Sequence, residues 1–121
     1  MKSPFSALVL VVEDEPLVRL DAIDMLTGAG FRVVDAANAD EAIAILEQRR
    51  DIRVVVTDIQ MPGSMDGLKL AATIHDRWPP IALIVTSGQA WVQQRDLPER
   101  GRFLPKPYSG PRLVEAIQAA L

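Results

Sequence analysis

Glu13, Asp14 and Asp58 each follow an apolar, β-branched run, and Thr86 and Lys106 stand at the ends of two further runs. Carboxylates held close together repel one another and push their pKa values up, so a cluster of three calls for a cation. Carboxylate and carbonyl oxygens suit a hard ion such as Mg2+, which keeps several waters and takes one or two protein carboxylates plus a phosphate oxygen. A lysine ammonium and a threonine hydroxyl then add the charge and the donor that neutralise a tetrahedral oxyanion. Together these residues read as a phosphoryl-transfer site. The sequence has no Gly-rich phosphate loop of the Walker or Rossmann kind, which points to a phosphoryl group carried on a protein carboxylate rather than on a bound nucleotide.

Such a set works only if separate elements deliver it to one place. Val54-Val55-Val56-Thr57 is a short run suited to a strand covered on both faces, and Met61-Pro62-Gly63 turns the chain just after Asp58. Ala7 to Val12 reads as a second buried strand, halted by Glu13-Asp14-Glu15-Pro16. Pro16 suits a first helical turn, and Val18, Ala22, Met25 and Leu26 give that helix an apolar face closed by Gly28 and Gly30. Phe31 to Ala36 reads as an edge strand. Asn38 and Glu41 form a capping-box pattern before a helix with Ala42, Ile45 and Leu46 on one face, and Arg49-Arg50 would face its carboxyl-end dipole.

Asp66 caps the next helix, whose face is Leu68, Ala71 and Ala72. Trp78-Pro79-Pro80 stops it. Ile81 to Val85 is a further buried strand ending at Thr86, and Arg102-Phe103-Leu104 is a brief one before Pro105-Lys106-Pro107. Gln89 to Arg100 reads as a short or irregular helix interrupted by Pro98, and Trp91 within it is a residue that packs locally or marks a partner surface. Ser109 caps a last helix with Leu113, Ile117, Ala120 and Leu121 on its face. His75 is expected on a helix surface. Five strands alternating with five helical segments predict a doubly wound α/β domain whose right-handed crossovers make the sheet parallel, so all the strand carboxyl ends share one edge.

Composition narrows the function classes. The chain has 121 residues, half of them apolar, and a net charge of -3, which suits one ordinary globular domain and not a nucleic-acid binder. It has no cysteine and a single histidine, which excludes disulfides, thiolate chemistry and a His-rich metal site. The N-terminal apolar run is too short for a membrane span or a signal, so a cytoplasmic protein is expected.

Across essentially its whole length the chain resembles the receiver domain of two-component response regulators. The resemblance rests on Glu13-Asp14, on Asp58-Ile59-Gln60-Met61-Pro62 with Met65-Asp66-Gly67, on Val85-Thr86-Ser87-Gly88, and on Lys106-Pro107, in that order. It implies a flavodoxin-like (βα)5 fold with strand order 2-1-3-4-5 and one receiver domain over residues 1–121. Asp58 would accept a phosphoryl group from the phosphohistidine of a sensor histidine kinase or phosphotransferase. Asp14, Asp58 and the Gln60 backbone carbonyl would bind Mg2+, with Glu13 helping through water. Thr86 and Lys106 would contact the phosphoryl group, Phe103 would be the switch aromatic that turns inward as Thr86 moves, and the Lys106-Pro107 peptide would be cis. Three features depart from the usual pattern. Glu13 stands where aspartate is commoner, the loop Pro62 to Asp66 is one residue longer, and the fourth helical segment is short.

The expected protein is a stand-alone phosphorylation switch, not an enzyme beyond slow self-dephosphorylation, acting on an unidentified downstream protein. Met1 and a full final helix favour a complete gene product. A second copy of the chain is carried as a further partner; no nucleic acid or membrane is. The alternatives are a degenerate receiver serving as a constitutive docking module, and a phosphate-ester hydrolase acting through Asp58. Retention of every acidic, hydroxyl and lysine position argues against the first. Gln60, where a second carboxylate would be needed, argues against the second.

Overall fold

The computed structural model describes residues 7–61, 63, 65–88 and 93–121. Its five strands are β1 (Leu8–Val12), β2 (Arg32–Ala36), β3 (Ile52–Asp58), β4 (Ala82–Ser87) and β5 (Gly101–Pro105). They form one parallel sheet in the order β2-β1-β3-β4-β5, as expected. Four α-helices connect or follow them: α1 (Pro16–Gly28), α2 (Ala39–Gln48), α3 (Gly67–Arg77) and α4 (Gly110–Ala120). No helix among the described residues is long and apolar enough to cross a membrane.

Alternation along the strands divides the core in two. Leu8, Leu10, Val12 and Val55 pack on one face under α2 and α3, while Val9, Val11, Val54 and Val56 pack on the other under α1 and α4. A strand buried on both sides explains the unbroken apolar runs. Leu26, Leu46, Leu70, Ile74, Leu113 and Ile117 are the large, fully buried helix side chains that tie the layers together, each contributing roughly 1.5–3 kcal/mol by leaving water.

The helix starts follow the expected chemistry. Asn38, Asp66 and Ser109 accept from the backbone N-H of Glu41, Lys69 and Arg112 at 2.9, 2.9 and 3.3 Å. The Glu41 carboxylate reaches back past the cap residue and accepts from Ala37 N-H at 2.9 Å.

Several faces differ from expectation. In α1 only Ala22 and Leu26 are buried; Val18 lies at the surface, and Leu17 is 80% and Leu20 53% exposed. In α3 the buried face is Leu70, Ala71 and Ile74, because Gly67 brings the helix start against β3 and rotates Ala72 outward. At the end of α4, Ala120 packs half-buried against the core as expected, whereas Leu121 is exposed. His75 is half-buried, with a buried Nδ1.

The fourth helical segment, Gln89 to Arg100, is not an α-helix among the described residues. A three-residue 3-10 turn, Gln94–Asp96, precedes β5, where Pro98 and Gly101 forbid a longer helix. Trp91, with Ala90 and Val92, lies outside the described residues. Strand β5 is the outer strand of the sheet on this side, and its outward N-H groups are all accounted for. Gly101 N-H donates to Pro98 O at 2.8 Å, Phe103 N-H donates to Gln94 Oε1 at 3.1 Å, and Pro105 has none. The Gln94 amide also donates to Gly101 O.

Candidate functional site

Backbone bonds that run one residue past the strands fix where the polar residues leave the sheet. Glu13 N-H donates to Ala36 O, Ile59 N-H to Thr86 O and Lys106 N-H to Ser87 O, at 3.1, 3.0 and 2.9 Å. Glu13, Asp58, Thr86 and Lys106 therefore emerge at neighbouring points on the carboxyl edge, where ligands of such sheets bind. Glu13 is 4% and Asp58 8% exposed. Lys106 Nζ donates to Glu13 Oε1 at 3.1 Å and to Asp58 Oδ2 at 3.2 Å, and the Lys106-Pro107 peptide is cis.

One ammonium does not satisfy this cluster. Carboxylate oxygens of Glu13, Asp14 and Asp58 lie within 4.8 Å of one another. Glu13 Oε2 and Asp58 Oδ1 are buried without a hydrogen-bond donor, a condition that costs about 1–3 kcal/mol for each such atom. Burial, then the charge of Asp58, pushes the Glu13 carboxyl up to about 7. Burial also opposes the Lys106 charge, but Asp58 and Glu13 outweigh it and hold the ammonium above its ordinary value. An oxygen-only donor set with two unpaired buried lone-pair bearers fits a hard divalent cation.

Stability should follow the Glu13 proton. Between about pH 4.5 and about 7 the metal-free folded protein holds a proton that the unfolded chain releases, so its stability falls as pH rises across that window and levels off above it. Urea midpoints in chelator at pH 5, 6, 7 and 8 should decline and then flatten. A midpoint that climbs steadily from pH 5 to 7 would contradict the buried, protonated carboxyl.

Thr86 and Phe103 are arranged differently from the acidic cluster. The Thr86 hydroxyl donates to Thr57 O over 3.4 Å, and no hydrogen bond among the described residues joins it to the carboxylates. Phe103 is half-buried against the core under α2 and α3. Gln60, two residues past Asp58, is exposed at the lip of the site.

Three supporting residues escaped sequence reasoning. Arg19 donates to the Glu13 carbonyl at 2.8 Å and pairs with Asp35 at 3.2 Å, pinning the end of β1 to β2. Gly67 donates to Ile59 O at 2.9 Å from so close that a Cβ would overlap the Asp58 carbonyl and come within 2.7 Å of the Ile59 Cα. Gln94 ties the backbone at Phe103 to the turn before it. The motif Met65-Asp66-Gly67 contained the second of these; nothing local marked the other two.

A parallel sheet of order 2-1-3-4-5, with this acidic and lysine-bearing carboxyl edge, defines the flavodoxin-like receiver architecture. Residues 9–118 match the response regulator receiver domain family, and the chain belongs to it. It is 38% identical over 120 residues to the sensor kinase CckA of Brucella abortus, in an alignment covering 96% of this chain and 13% of the kinase. It is 33% identical over 120 residues to the transcriptional regulatory protein PdtaR of Mycobacterium tuberculosis, covering 93% of this chain and 56% of that protein. The chain therefore spans about an eighth of the length of the first of these relatives and little more than half of the second. The crystal structure of a response regulator receiver protein from Sinorhizobium medicae superimposes with a TM-score of 0.87 at 28% identity, covering 98% of this chain and 96% of the other.

Proposed function

We propose that residues 1–121 act as one receiver module, a Mg2+-dependent phosphorylation switch in which Asp58 is the phosphoacceptor. The observation that carries this reading is the pair of buried, unpaired oxygens, Glu13 Oε2 and Asp58 Oδ1, beside the Lys106 ammonium. A site so short of donors is ready for a cation and a phosphoryl group. Asp14, Asp58 and the Gln60 carbonyl would hold Mg2+, with Glu13 helping through water; the bound ion would supply charge neutralisation for carboxylates and phosphoryl oxygens together.

The donor would be a phosphohistidine of a sensor kinase or phosphotransferase. An Asp58 carboxylate oxygen attacks phosphorus, an O-P bond forms as the donor's N-P bond breaks, and the imidazole leaves with its electron pair to be reprotonated from solvent. Lys106 and Thr86 stabilise the phosphoryl oxygens. For Thr86 this means exchanging the Thr57 carbonyl for a phosphoryl oxygen by rotation about χ1, which frees space for Phe103 to turn inward. The surface around Phe103 then changes for a downstream protein, a shift between two packings biased by the new charge. We place this activity in the cytoplasm. Leu17 and Leu20, exposed at the start of α1 next to the acidic residues, offer the donor protein an apolar landing.

Intact-mass spectrometry after incubation with acetyl phosphate tests the proposal. A base-labile phosphoryl increment is expected on the wild type with Mg2+ and absent with chelator, and Asp58→Asn should lose it completely while staying folded. With a phosphohistidine protein as donor, Leu17→Glu should slow uptake and leave labelling by acetyl phosphate unchanged. A phosphoryl increment on folded Asp58→Asn would sink the assignment.

A further inference from the structure

The edge of the sheet opposite Asp58 carries a groove that the phosphoryl chemistry does not use. It lies where α2 and α3 end and where β3 and the chain into β4 begin, and it encloses about 570 Å³. Its buried floor is Leu46, Ile52 and Ile81, and Trp78-Pro79-Pro80 forms one wall. Four arginines line it: Arg49, Arg50, Arg53 and Arg77. Glu47 also lines it and pairs with Arg77, and Asp51 pairs with Arg49, so the excess positive charge is that of Arg50 and Arg53, on a chain whose net charge is -3. Along β3 it is separated from Asp58 by roughly 17 Å, at about 3.3 Å per residue.

Two of the arginines are already committed, and they display what the groove recognises. Arg49 grips Asp51 through two hydrogen bonds of 3.0 and 2.8 Å. Arg77 donates to Glu47 at 2.9 Å, which holds its guanidinium 4.4 Å from the centre of the Trp78 ring. Arg50 and Arg53 have no such partner among the described residues, and both are exposed. A helix-dipole role accounts for Arg49 and Arg50 at the end of α2, but not for Arg53, which sits on a strand whose other six residues are all buried.

We propose that this groove docks an acidic peptide segment of a partner protein, carboxylates on Arg50 and Arg53 and an apolar side chain against the Trp78-Pro79-Pro80 wall. Guanidinium forks match carboxylates in two-point contacts, as Arg49 does with Asp51. A compact phosphate finds less here. Both helices present their carboxyl ends, so there is no cradle of free N-H groups and the dipoles oppose dense negative charge. The apolar floor and wall give a peptide what a bare anion cannot use. Because the groove is remote from Asp58, binding does not depend on phosphorylation, and the chain would hold this partner in both signalling states.

The test is fluorescence anisotropy with a short fluorescein-labelled peptide of glutamates flanking a Leu-Leu pair, on wild type and the double variant Arg50→Glu/Arg53→Glu. Saturable binding is expected, weakening as salt rises and falling by about tenfold or more in the variant, since charge contacts of this kind govern recognition. A peptide with glutamine in place of glutamate should not bind. Unchanged melting and acetyl phosphate labelling of the variant would show its fold intact, and Asp58→Asn should bind the peptide like the wild type, which separates this inference from the phosphoacceptor reading. No saturable binding, or equal affinity for wild type and variant, would overturn it. So would displacement of the peptide by millimolar inorganic phosphate, which would make the groove a small-anion site. Self-association of the wild type that the double variant abolishes, seen by sedimentation, would overturn it in favour of a second copy as occupant.

Discussion

Lys106→Met should lower the stability of the metal-free protein by about 2–3 kcal/mol at pH 8, since breaking a buried ion pair costs about 3–5 and this lysine is partly open to water. The side chain is 26% exposed, yet it is the ammonium bonded to both Glu13 and Asp58. Removing it leaves two buried carboxylates facing one another, and the folded protein must then protonate Glu13 or keep the repulsion. The loss should shrink at pH 5, where Glu13, raised to about 7, already carries its proton. Saturating Mg2+ should restore part of the stability, because a ligand that binds only the folded state stabilises it. Uptake from acetyl phosphate should fall by about 10²-fold even with Mg2+ present, the usual loss when one oxyanion-stabilising group is removed. Urea titrations in chelator and in Mg2+, at both pH values, read the first effect. Identical midpoints for wild type and variant in chelator at pH 8 would remove Lys106 from its bridging role.

Gly67→Ala should cost about 1–3 kcal/mol or more, the usual price of overpacking a site that cannot relax. The obstruction is backbone: the added methyl meets the Asp58 carbonyl and Ile59 Cα, neither of which can swing aside as a side chain would. To relieve it, α3 must back away from the end of β3 and break the 2.9 Å bond from Gly67 N-H to Ile59 O. Asp58 moves with that bond. Phosphoryl uptake should therefore drop together with stability, and the Ile59 amide should shift in NMR spectra. Gly28→Ala is the matched control. A Cβ there meets nothing within 4 Å, so alanine should leave uptake unchanged and stabilise the helix by up to about 1 kcal/mol. Equal stabilities for the two variants would show that the close approach at Gly67 is not enforced.

The architecture and the acidic cluster were legible because a parallel sheet converts sequence order into spatial order. Once apolar runs ending at Glu13, Asp58, Thr86 and Lys106 are strands of one such sheet, their ends must meet. Cap residues were legible for a similar reason, since Asn38, Asp66 and Ser109 act on amides only three residues away. Apolar faces were less so. Leu17 and Leu20 are hydrophobic without being core, and a pattern of apolar residues does not say whether the protein itself covers them. The face of α3 was legible in part: Ala71 is buried and Leu68 packs on the core, but Ala72 turns outward and Leu70 and Ile74 carry the burial, a rotation held by the contact between Gly67 and β3 that spacing does not encode. Arg19 and Gln94 act on backbone groups brought near only by folding. The arginine groove joins residues 46–53 to residues 77–81, linked by a Glu47-Arg77 pair thirty positions apart.

Strand β5 shows a different kind of economy. An outer strand with free amides is a template on which a foreign strand can add, and natural sheets guard against it. Here the defence is a hydrogen-bond acceptor from Pro98, a side-chain amide from Gln94, and the missing donor of Pro105. The Gln94 contact is also the link between the turn and Phe103. A substitution that loosens it to free Phe103 would at the same moment uncover the Phe103 amide for strand addition. With Phe103 as the switch aromatic proposed above, responsiveness and resistance to aggregation would be set against each other at Gln94, and substitutions there that raise activity should also lower solubility.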